Sequence, residues 1–115
     1  MTTESEIIDA IIKRYAFNKA QPRHVVAVQV HNRAGFGYNR RLDAVVLDTW
    51  PSKEFTLHGM EIKVSKADLR KELADPAKMQ DFADAAGLDY FSIVTPKGVA
   101  NLDIIPERWG WIMLN

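Results

Sequence analysis

Apolar residues recur along this chain in two periods, and the switches between them mark its elements. From about residue 3 to residue 18, Ile7, Ile8, Ile11, Ile12 and Tyr15 form one stripe at helical spacing, with Thr3 as N-cap and Glu6 at the capping-box position. Gln21-Pro22 ends that helix. His24 to Val30 is rich in β-branched residues between turn formers and predicts a strand; Leu42 to Asp48 predicts a second and Phe55 to Val64 a third. The second and third are joined by a turn around Trp50-Pro51, so they should pair as an antiparallel hairpin. Between the first two strands, Asn32 to Arg41 mixes glycines, asparagines, arginines and aromatics, which suits an exposed loop or hairpin tip.

Beyond residue 64 the helical period returns. Ser65 and Asp68 have the form that opens a helix, with Leu69 and Leu73 behind them, and Asp75-Pro76 is a second start signal. Met79, Phe82, Ala83 and Ala86 follow on one face, and Gly87 supplies the stop. Tyr90 to Val94 and Gly110 to Leu114 predict two more strands. The order αβββαβ plus a C-terminal strand implies a single α/β domain over residues 1–115, with a mixed sheet of four or five strands and helices on both faces.

Composition narrows the chemistry. With 15 basic and 15 acidic side chains the formal charge is zero, so any contact with nucleic acid depends on local clusters of Lys and Arg. The absence of cysteine removes disulfides and thiolate metal sites and fits a cytoplasmic protein. The N-terminus is acidic and polar where a signal peptide would be basic and then apolar, and no run approaches the roughly 20 apolar residues of a membrane span. His24, His31 and His58 lack zinc spacing and read as ordinary polar residues.

The third strand carries an anomaly. Met60, Ile62 and Val64 alternate with Glu61 and Lys63, so a carboxylate and an ammonium share one face of a strand that otherwise reads as core. Charges there are costly unless paired or metal-bound. Asp43 raises the same question in the second strand, and a hairpin can lay it beside Glu61. Asp43, Glu61 and a backbone carbonyl such as that of Ile62 would make a hard oxygen site suited to Mg²⁺ or Mn²⁺. Lys63 would then hold the attacking water or stabilise the charge that develops on a phosphate.

Asp43 followed by Glu61-Ile62-Lys63 resembles the signature of the PD-(D/E)XK nuclease superfamily, with Leu42 standing where the superfamily's name has proline. More closely, Arg41-Leu-Asp43, Glu61-Ile-Lys-Val-Ser-Lys-Ala-Asp68, Asp75-Pro-Ala-Lys78, Asp89-Tyr-Phe-Ser-Ile-Val-Thr-Pro96 and Ile105-Pro-Glu-Arg-Trp-Gly110 resemble the MmcB-like family of DNA repair proteins. The resemblance implies a restriction-endonuclease-like core, Asp43 and Glu61 as metal ligands and Lys63 as the catalytic lysine. It also implies a glutamate offered to the metal from the first helix, where Glu6 or Glu4 is the local candidate. Superfamily members often place a Lys or Gln at the start of the later helix to contact the scissile phosphate, and Lys78 stands there, with Gln80 nearby.

DNA is the expected partner. Ser65 and Lys66 follow the lysine closely enough to touch a phosphate, and Arg33, Arg40 and Arg41, with Phe36 and Tyr38 between them, combine guanidinium groups with stacking surfaces. The expected activity is Mg²⁺- or Mn²⁺-dependent hydrolysis of DNA phosphodiesters in repair, recombination or phage DNA processing. Its rival is a DNA-binding accessory module that keeps the fold without turnover. A homodimer is compatible with the pattern.

Overall fold

The computed structural model of the protein describes residues 2–15, 24–31, 41–49 and 55–114. The first helix, α1 (Glu4–Tyr15), begins where Thr3 accepts the Glu6 N–H on Oγ1 at 3.2 Å, the cap expected from the sequence. Five strands follow, β1 (His24–His31), β2 (Arg41–Asp48), β3 (Leu57–Ile62), β4 (Tyr90–Pro96) and β5 (Gly110–Leu114). Between β3 and β4 lie α2 (Lys66–Leu73) and α3 (Pro76–Ala85). Ser65 caps α2 by accepting the Asp68 N–H, and Asp75 caps α3 by accepting that of Lys78, with Pro76 at the first helical position. Gly87, at φ 75°, takes up the left-handed conformation that turns the chain out of α3.

The strands lie side by side in chain order. β2 runs antiparallel to both β1 and β3, whereas β4 joins β3 and β5 joins β4 in parallel. The helical crossover through α2 and α3 is what allows β4 to return in the same direction as β3. The result is an open five-stranded mixed sheet flanked by helices on both faces.

The two faces have separate cores. On one, Ile7 and Ile11 of α1 pack with Ala44, Val46, Met60, Ile62 and Val94. On the other, Leu69 of α2 and Met79, Phe82 and Ala83 of α3 pack with Phe91, Ile93 and Trp109. Strict alternation along β2 would put Leu42 with Ala44 and Val46, yet Leu42 joins the second core. The ladder between β1 and β2 is irregular beside this point, where Gln29 of β1, opposite Asp43, takes a left-handed φ of 53°. Trp109 crosses the Phe91 ring edge-on at 5.0 Å and donates its indole N–H to Gln80 Oε1 at 2.8 Å, so it serves as a packed structural tryptophan.

Among the described residues, no helix is long and apolar enough to cross a membrane. The loop around residues 32–40, with Arg33, Arg40, Phe36 and Tyr38, and the turn at residues 50–54 lie outside the described residues. Arg41 is described only as a backbone position in β2.

Candidate active site at a fork in the sheet

β2 pairs with β1 as far as Arg41, but its ladder with β3 stops at Ala44 and Met60. One step further the carboxylate of Asp43 replaces a backbone acceptor, because Oδ2 takes the Ile62 N–H at 2.8 Å. The two strands fork here, and polar side chains occupy the fork. Both acids in it are buried, Asp43 at 4% and Glu61 at 7% exposure, which is unusual for carboxylates unless they are paired or bind a cation.

Glu61 hydrogen-bonds the Asp43 side chain. Burial first, then that hydrogen bond and the charge of Asp43, push the Glu61 carboxyl up to about 9, while Lys63 pulls it down and Glu72 adds a little to the rise. At neutral pH Glu61 therefore holds a proton that it shares with Asp43. The same pair of hard oxygens is a fit for a divalent cation, since the cation would replace that proton and neutralise the second carboxylate. The donors offered are oxygen only, which matches Mg²⁺ or Mn²⁺.

Lys63 Nζ stands 4.0 Å from Glu61 Oε1 and 3.7 Å from Glu72 Oε1. The Lys63 main chain is anchored by its N–H, which donates to the Val94 carbonyl at 3.0 Å. Glu72 is the residue that sequence reasoning missed. It sits on α2 three positions after the buried Leu69, so the helical period does place a carboxylate beside the apolar stripe. Nothing in the sequence says that this stripe faces β3.

The expected residues thus fall into groups. Asp43, Glu61, Ile62 and Lys63 come together. An extended residue turns its N–H and C=O toward the same neighbouring strand, so the Ile62 carbonyl looks to the β2 side, where its N–H meets Asp43. Ser65 accepts the Asp68 N–H on Oγ at the α2 cap, which leaves its O–H as a donor, and Lys66 is exposed in the first turn of that helix. Lys78 is exposed in the first turn of α3. Glu6 is exposed and accepts the Thr3 hydroxyl at 3.3 Å. Among the described residues, no three His, Asp or Glu side chains form a ready-made cation cage.

His58 belongs to a different place, a cavity of about 330 Å³ at the start of β3 and β4. Its Nε2 meets Ser92 Oγ at 2.7 Å, and burial with nearby Arg14 lowers its pKa, so it behaves as a neutral, half-buried histidine with a partner.

No family model and no curated protein matches the chain. Its fold is similar to that of a solved protein of unknown function from Silicibacter pomeroyi, with a TM-score of 0.56 and 19% identity over 84% of this chain. The chain spans 56% of the length of that protein. At that identity the likeness concerns the fold alone.

Proposed function

We propose that the chain is a metal-dependent deoxyribonuclease of the PD-(D/E)XK type, related to the MmcB-like DNA repair proteins, that hydrolyses DNA phosphodiesters. One observation carries the reading: Asp43 and Glu61 lie side by side, buried, at the fork of β2 and β3, with the Lys63 ammonium 4.0 Å from Glu61. A structural salt bridge would need neither the second buried acid nor a gap in the ladder beside it.

Asp43 and Glu61 would hold Mg²⁺ or Mn²⁺, with the Ile62 carbonyl on the same side. Once bound, such an ion acidifies a water and withdraws charge from a phosphoryl oxygen. The protein supplies the rest. The Ile62 N–H fixes the orientation of Asp43, and Glu72 holds the Lys63 ammonium at the rim, from where it stabilises negative charge building on the phosphate.

The test is cleavage of single-stranded, duplex and branched DNA with Mg²⁺ or Mn²⁺, repeated with Glu61→Ala and Lys63→Ala. The expected result is metal-dependent cleavage that each substitution lowers at least about a hundredfold, the scale of losing a preorganised charge contact. Cleavage unchanged by both substitutions would defeat the assignment. Metal binding without cleavage of any DNA form would leave a DNA-binding module of the same fold.

A further inference from the structure

The α2 helix has a second working face. Lys66, Leu69, Arg70 and Leu73 recur at i, i+3, i+4 and i+7 and line one side of a groove of about 510 Å³. The segment after β4 forms the opposite wall, with Val99, Asn101 and Ile104. That volume lies in the usual range for ligand pockets, roughly 300–1,000 Å³, and so does its make-up of apolar walls with a few polar groups.

Charge gives the groove its direction. In a chain with equal numbers of acidic and basic side chains, two cations and, among the described residues, no carboxylate line it. A ligand matched to this lining would be anionic and would also carry apolar surface. Asn101 caps the short 3₁₀ turn by accepting the Asp103 N–H on Oδ1 at 3.0 Å, and its amide nitrogen, which takes no part in that cap, is a donor suited to a base edge.

Resting on the nuclease reading above, we propose that this groove takes an unpaired DNA strand, with bases against the aliphatic walls and phosphates on Lys66 and Arg70. The substrate class is then single-stranded or frayed DNA. A duplex offers a groove of this kind only its phosphates, because its bases are stacked on each other and their faces cannot reach Leu73, Val99 or Ile104. The groove also has the right address. Arg70 and Glu72, two positions apart, lie on opposite flanks of α2, so one flank would hold the strand while the other holds Lys63 at the carboxylate pair.

The test separates binding from cleavage. A labelled oligo(dT) and a blunt duplex of equal length are titrated by fluorescence anisotropy against the full chain, without divalent ions and across a range of salt. The single strand is expected to bind at least about tenfold more tightly, an effect that burial of about 60 Å² of apolar surface between its unstacked bases and the aliphatic walls would supply. The double variant Lys66→Ala, Arg70→Ala should weaken that binding and lower the salt slope by about 1.4, two phosphate contacts at roughly 0.7 each. Ile104→Ser, at a position 43% exposed and so tolerant of change, should reduce the preference for single strands while leaving the slope in place. Equal affinity for both DNA forms, single-strand binding indifferent to the double variant, or displacement of the oligonucleotide by polyglutamate of matched charge would each overturn the proposal. Single-strand binding with no cleavage would defeat the nuclease reading and leave the groove standing; metal-dependent cleavage with no preference for single strands would do the reverse.

Discussion

Glu61 holds the most informative proton in the molecule. Its pKa is raised from 4.5 to about 9 by burial and by Asp43, so the folded metal-free chain binds that proton more tightly than the unfolded chain does. The stability contributed is fully present below pH 4.5 and is lost as pH rises toward 9, at up to about 1.4 kcal/mol per pH unit. Glu61→Gln keeps the shape and removes the titration. Its urea midpoint should match that of the parent near pH 5 and exceed it increasingly toward pH 9, and parallel curves for the two proteins would show that Glu61 is not the group responsible. Glu72 makes a different kind of contribution, through Lys63. Glu72→Gln should lower the turnover of DNA cleavage roughly ten- to hundredfold with little change in KM, since partners of this kind orient a group without touching substrate.

At the level of elements, α2 links the site to the core. Leu69 is 1% exposed in the cluster with Phe82, Phe91 and Trp109, and three residues further on the same helix delivers Glu72 to Lys63. Leu69→Ala should cost about 2–5 kcal/mol in urea unfolding, the range for emptying a well-packed leucine site. A cost well under 1 kcal/mol would mean that α2 is not seated as described. The forked pairing of β2 and β3 has a comparable role. Because the ladder ends at Ala44 and Met60, Asp43 supplies the acceptor that a backbone carbonyl would otherwise supply to Ile62. Asp43→Ala leaves that buried N–H without its acceptor, a loss of about 1–3 kcal/mol, and removes the hydrogen-bond partner of Glu61 as well.

For the whole molecule, zero net charge limits nonspecific attraction to DNA and leaves recognition to local features. If Asp43 and Glu61 hold Mn²⁺, the ion stabilises the folded chain by mass action, by about 2.7 kcal/mol at a hundred times its Kd. It must also displace the Glu61 proton, so the rise in Tm should be larger at pH 8 than at pH 6. Thermal melts with and without Mn²⁺ at the two pH values check this, and a rise that is absent, or equal in Asp43→Asn, would remove the cation from the site.

Much of the architecture was legible in the chain because it is local. The caps at Thr3, Ser65 and Asp75, the stop at Gly87, and the change from helical to alternating apolar spacing depend on neighbours a few residues away. Boundaries were less so. β4 runs on to Pro96, two residues past the expected end at Val94, and β3 is shorter than the expected 55–64 span, because pairing with adjacent strands decides where a strand stops. The suspicion attached to Asp43, Glu61 and Lys63 was also available, since charges in an apolar strand conflict with their surroundings whatever the fold. What tertiary structure alone decided is how that conflict is resolved. The fork that aims Asp43 at the Ile62 N–H, the arrival of Glu72 from α2, and the groove with Lys66 and Arg70 on the helix's other flank all join residues distant in the chain. Such contacts follow from the direction in which packed elements approach one another, and a periodicity confined to each element carries no record of that direction.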